Sequence, residues 1–169
     1  ERMKAIFFLL ILSISILPQS NPKFEEYFLD ETLRIDYFHI GDAKTEMITV
    51  DKMFRYGIWP GSPNHLVDNL NNGKYYVKIY DLETKKLIYS KGFDTLFGEY
   101  ASSDDGVNGI IKSFHESAII PFPKKKIIFA LEKRNEKNLL EEFFRTEIDP
   151  QSIFIIKDKV SDATVEILK

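Results

Sequence analysis

The residue pair with the most chemical promise is His115-Glu116, because His-Glu opens the HExxH signature of zinc peptidases. That signature needs a second histidine four residues on, so that a helix turns both imidazoles to one side. Here the run is His115-Glu116-Ser117-Ala118-Ile119, and Ile119 stands where the second ligand belongs. The segment also alternates as a strand does and runs into Pro121, so His115 and Glu116 are expected on opposite faces of a sheet. His39 and His65 have no partner at metal-ligand spacing and are expected to be solvated or hydrogen-bonded. Asp104, Asp105 and Asn108 offer oxygen ligands in one loop, without the alternating acids and distal Glu of an EF-hand. Glu141 and Glu142 are adjacent, so their carboxylates diverge. No P-loop, dinucleotide fingerprint or Gly-x-Ser-x-Gly is present, and with no cysteine in the chain there is no thiolate chemistry and no disulfide. The residues present do not converge into an active site, and no metal or cofactor is expected to bind this chain.

Aromatic side chains support a binding chemistry instead. Trp59 lies in the turn cluster Gly57–Pro63, and Tyr76 and Tyr80 share the polar side of an alternating segment. Such a row can stack on sugar rings if that side is open; otherwise it packs under a loop or a neighbouring domain. A formal net charge of −3 gives no basic excess for nucleic acid.

The elements that would carry these residues are strands. Lys74–Asp81 alternates cleanly, with Tyr75, Val77 and Ile79 opposed to Tyr76, Lys78 and Tyr80. Leu82–Lys85 reverses the chain, and Leu87–Lys91 returns, making the central hairpin. Upstream, Thr32–Ile40 and Thr45–Tyr56 read as strands, the second with a bulge near Asp51-Lys52. Downstream, Ala101–Gly109 reads as a loop, and Ile110–Ser117, Ile127–Glu132 and Ile153–Lys157 as strands. Pro121 and Pro123 cannot donate to a central ladder. Leu139, Leu140, Phe143 and Phe144 recur at helical spacing, so Asn135–Phe144 is expected to hold one short helix before a strand. The whole is expected to be all-β, an antiparallel, jelly-roll-like sandwich with one short helix.

Before it, Met3-Lys4, the apolar run Ala5–Leu17 and the break at Pro18-Gln19-Ser20 have signal-peptide grammar, so residues 1–22 are expected to be a leader. The run falls short of the roughly 20 residues a membrane helix requires, and no stable span is expected once the leader is removed. The protein is therefore expected to be secreted or periplasmic.

Five blocks in order carry a family likeness: TLRIDY (32–37), WPGS (59–62), GKYYVKIYD (73–81), IYSKGFDTLFGEY (88–100) and SFHESAIIPFPKKK (113–126). Together, over roughly Phe24 to Asp158, they resemble the N-terminal domain of the IgA-peptidase family of secreted zinc metallopeptidases of gut-dwelling bacteria. The resemblance implies a β-sandwich over residues 23–160 and the start of a linker over 161–169, leading to a separate catalytic domain with HExxHxxGxxxxE-type zinc ligation. That motif is absent here, so no catalytic residue carries over and zinc is expected only in the absent catalytic domain. The implied function is a non-catalytic accessory domain that supports or positions a catalytic domain, its partner where the natural protein has one. The alternative is a stand-alone exported sandwich binding glycan or glycoprotein through Trp59, Tyr76 and Tyr80.

Overall fold

Period-two alternation builds eight β-strands in the computed structural model, which describes residues 21–157. All but the last two residues of the expected leader, and the whole of the expected linker, lie outside the described residues. A single turn of helix, α1 (Phe24–Tyr27), leads into β1 (Phe28–Gly41) and β2 (Glu46–Tyr56). The central hairpin is β3 (Tyr75–Asp81) and β4 (Leu87–Phe93). Then come α2 (Leu96–Tyr100), α3 (Asp104–Val107), β5 (Lys112–Pro123), β6 (Ile127–Arg134), β7 (Leu140–Ile148) and β8 (Ile155–Lys157). Two four-stranded sheets result, ordered β5-β1-β2-β8 and β4-β3-β6-β7. Every pairing is antiparallel except that of β8 with β2. The protein is an all-β sandwich.

The inner faces supply the core: Leu33, Ile35 and Tyr37 from β1, Ile120 from β5, Val77 and Ile79 from β3, and Phe129 and Leu131 from β6 are all buried. Local chemistry sets the reversals. In the β3–β4 turn, Asp81 Oδ1 accepts from the Thr84 amide at 2.8 Å and the Thr84 hydroxyl at 2.6 Å, which holds the chain as it turns back. The bulge falls where the sequence predicts it: Asp36 pairs with Lys52 and Tyr37 with Val50, leaving Asp51 as the extra residue. Pro121 and Pro123 lie on β5, an edge strand, where a missing ladder donor costs nothing on the open side.

Two expectations are corrected. Asn135–Phe144 is not helical but a hairpin turn followed by β7. Asn135 Oδ1 accepts from the amides of Lys137 (2.9 Å) and Leu139 (3.0 Å), and Asn138 takes the left-handed conformation at φ 61°. The helical spacing of the apolar residues has another origin. Leu131 pairs with Phe144 and Glu132 with Glu142, so Phe143 is a bulge residue, and both phenylalanines turn toward the core. The helical turns lie elsewhere, as α1, α2 and α3, the last inside the expected 101–109 loop. Thr95 caps α2 by accepting from the Gly98 amide at 2.8 Å, and Ser103 caps α3 from the Gly106 amide at 3.3 Å.

On the outer face of β3 the covered alternative holds. Tyr76 is only 2% exposed, and Tyr80 and Lys78 are half-buried. The segment 66–72 folds over this face: Asp68 Oδ2 accepts from the Tyr76 hydroxyl at 3.0 Å and from the Gly92 amide at 3.1 Å. Further along, the Lys78–Glu132 ion pair (2.7 Å) and Arg145, 5.6 Å from the Tyr80 ring, cover the sheet with their aliphatic stems.

Candidate functional site

Period two places His115 and Glu116 on opposite faces of β5, as expected. His115 is exposed, its ring 4.9 Å from Phe38 and its Nε2 3.3 Å from Asp51. Glu116 points inward and reaches a residue 77 positions away in sequence. Its Oε2 lies 2.9 Å from His39 Nδ1, while His39 Nε2 lies 2.7 Å from Glu46 Oε1. Lys133, from the opposite sheet, donates to the other oxygen of Glu46. The Phe97 amide donates to Glu116 Oε1 at 3.2 Å, and the Phe97 ring stacks on the imidazole at 3.9 Å. His39 is 1% exposed, so one buried imidazole joins β1, β2 and β5 and holds α2 against their end.

The electrostatics follow from this enclosure. Burial disfavours the imidazolium, but the bonds to Glu116 and Glu46 outweigh it and hold His39 above its ordinary pKa. Burial would raise Glu46, yet His39 and Lys133 hold it below the usual carboxylate range. Tyr37 and Tyr75 flank the cluster, each raised by burial and then by a neighbouring glutamate. Two carboxylates therefore face one imidazolium and one ammonium. With both ring nitrogens engaged and the ring covered, His39 has no free nitrogen to take a proton from a substrate or to ligate a metal. The cluster is a clamp between the sheets, not a catalytic centre.

The remaining candidates stay apart. Asp105 pairs with Lys112 at 2.8 Å, and Asp104 and Asn108 sit at the two ends of α3. Glu142 pairs with Arg145 at 2.7 Å, while Glu141 accepts from Asn135. Among the described residues, no group of three His, Asp or Glu side chains is disposed to hold a metal ion. The three aromatics proposed for binding do not form a row. Tyr76 is under the 66–72 segment, Tyr80 is half-buried beside Arg145, and Trp59 lies elsewhere, edge-on to Tyr89 at 5.8 Å.

Trp59 does line a concavity. Between the β4 side of one sheet and the β5 edge of the other runs a groove of about 750 Å³, walled by Trp59, Val67, Leu70, Tyr89, Lys91 and Ile119, with the exposed His65 at its rim. The Trp59 ring lies against Gly61, where a Cβ would approach within 2.3 Å of it. Its Nε1 is buried and has no hydrogen-bond partner. Burial pushes the Tyr89 hydroxyl up to about 12, so it remains a neutral donor. The groove mixes apolar surface from Trp59, Val67, Leu70 and Ile119 with polar groups of Asp68, Asn69, Ser90 and Lys91, the make-up of a ligand-binding concavity.

Comparison with known proteins agrees with this picture. A family model described as peptidase M64 N-terminus matches residues 23–145, from α1 into β7. No curated protein matches the chain. The chain belongs to the peptidase M64 N-terminus family.

Proposed function

We propose, from that membership, that this sandwich is the non-catalytic N-terminal accessory domain of an exported, IgA-peptidase-like zinc metallopeptidase, and that it supports or positions a catalytic domain. The observation that carries the reading is the span of the family match, which covers β1 to β6 and most of β7. Two features of the residues support it. The near-miss His115-Glu116 is divided between the two faces of a strand, and the His39–Glu46–Glu116 cluster is buried with both imidazole nitrogens engaged. Export is supported by the apolar run Ala5–Leu17 behind Met3-Lys4. Zinc belongs, on this reading, to the catalytic domain alone.

The purified chain is expected to leave casein and immunoglobulin intact, with or without added zinc. Chelator-sensitive cleavage that disappears in His115→Ala would overturn the reading. The coding DNA after Lys169 is expected to continue in frame into an HExxH motif. A catalytic domain produced with the sandwich is then expected to melt higher, or to turn over faster, than the same domain produced without it. Equal behaviour of the two would remove the supporting role.

A further inference from the structure

The four sheet edges are treated unequally. The β4 edge is sealed by its own chain: the Ser90 amide donates to the Leu66 carbonyl at 2.9 Å and the Gly92 amide to Asp68. The β7 edge carries Glu141, Glu142, Arg145 and Glu147, charges that discourage strand pairing. The β8 edge is three residues long. At β5, α2 lies against the end near Phe114 and Glu116, and Pro121 and Pro123 close the other end to pairing. Between them, Ser117 to Ile120 has no strand on its outer side among the described residues.

Proline chemistry gives the phase of that open stretch. Pro121 has no N–H to give to β1, so its nitrogen belongs on the outer side. Alternation by two then turns the backbone of Ile119 and Ser117 outward as well. These groups repeat about every 6.6 Å, the two-residue spacing of an extended peptide. Ile119 also lines the Trp59 groove, so the open backbone and the apolar trough lie side by side. Leu70, at 79% exposure, and Ile119, at 41%, are large apolar side chains at this trough.

We propose that the Trp59 groove is a binding site for an extended polypeptide segment, which adds as a strand to β5 at Ser117–Ile119 and seats a large apolar side chain between Trp59, Leu70 and Ile119. The repeating donors and acceptors match a peptide backbone, and the apolar trough beside them matches alternate side chains, as in other cases of strand addition. A sugar would use the trough and leave the edge unpaired. The site stands on the groove itself and goes beyond the accessory-domain reading: finding no catalytic domain would leave it intact.

The test uses ¹⁵N-labelled protein and the peptide acetyl-Thr-Val-Leu-Val-Thr-amide, with a second copy N-methylated at alternate residues. The plain peptide is expected to shift the Ser117 and Ile119 amides and the Trp59 indole resonance, and the methylated peptide to shift none of them. Gly61→Ala drives a Cβ into the Trp59 ring and displaces it without removing it; it is expected to weaken binding about tenfold, as loss of an aromatic anchor does. Trp59→Ala should weaken binding at least as much, with a single cooperative melt and unchanged amide resonances of β6 and β7 showing that the fold is intact. Equal binding of the methylated peptide, shifts confined to another face, or no binding at about 1 mM peptide would each overturn the proposal. So would concentration-dependent dimerisation that moves the same resonances without peptide, which would assign the edge to a second copy of the chain.

Discussion

Replacing His39 with alanine is expected to cost the fold about 3–5 kcal/mol, the usual penalty for breaking a buried ion pair by removing one partner. The loss is severe because Glu46 and Glu116, at 9% and 10% side-chain exposure, would face each other across an empty space. Lys133 remains to Glu46, while Glu116 keeps the Phe97 amide, whose ring has lost the surface on which it stacks, and the neighbouring Tyr37 hydroxyl. Domains of this kind hold roughly 5–15 kcal/mol in all, so the variant should be near the limit of folding. Urea unfolding measures the loss directly. The pH dependence identifies its cause. His39 is raised in the folded state, so its contribution is complete below its unfolded value of about 6.5 and is lost as pH climbs through the higher folded value. Glu46 is lowered, so its contribution is complete above about 4.5 and is lost as pH falls through the folded value. From these two groups, stability is highest between about pH 4.5 and 6.5, and the alkaline decline should be absent from His39→Ala. A variant that keeps the wild-type alkaline decline, or loses less than about 1 kcal/mol, would show that the imidazole does not hold β1, β2 and β5 together.

Legibility in the sequence followed the range of the interactions. The β3–β4 hairpin, the Asp51 bulge and the edge position of Pro121 and Pro123 are set by neighbours along the chain, and alternation or proline chemistry reveals them. The His39 clamp joins residues 7 and 77 positions apart, and only the packing of one strand on another brings them together. One signal was available: carrying the Leu33-Ile35-Tyr37 alternation one step further puts His39 on the buried face. A buried histidine then demands partners. For Tyr76 the sequence leaves two alternatives open for a related reason, since alternation says which side of a strand a residue takes but not what covers that side. The cover here is Asp68, in a segment whose Asn-Asn-Gly ending marks it only as a turn. At Asn135–Phe144 the spacing of four apolar residues does not separate helix from strand, because a bulge and a helix can both bring adjacent phenylalanines inward.

Ile79→Ala is expected to destabilise the fold by about 2–5 kcal/mol, the range for emptying a fully packed aliphatic site. Ile79 is 0% exposed at the middle of β3, opposite Tyr89 on one side and Phe129 on the other, so no neighbour can relax into the space without unpairing a strand. The adjacent residue tests the same strand from its outer face. A solvated lysine there would tolerate alanine within about 0.5 kcal/mol. Lys78, however, has 22% side-chain exposure and meets Glu132, at 9%, over 2.7 Å. Lys78→Ala strands that carboxylate against the covered sheet, and the expected cost rises to about 1–3 kcal/mol. Pairing Lys78→Met with Glu132→Leu removes both charges and keeps the volume, which should return most of the loss. Denaturant midpoints of the three variants separate the contributions. Ile79→Ala costing no more than Lys78→Ala would contradict a core centred on β3, and a Lys78→Ala variant as stable as wild type would mean that the outer face is open to water after all.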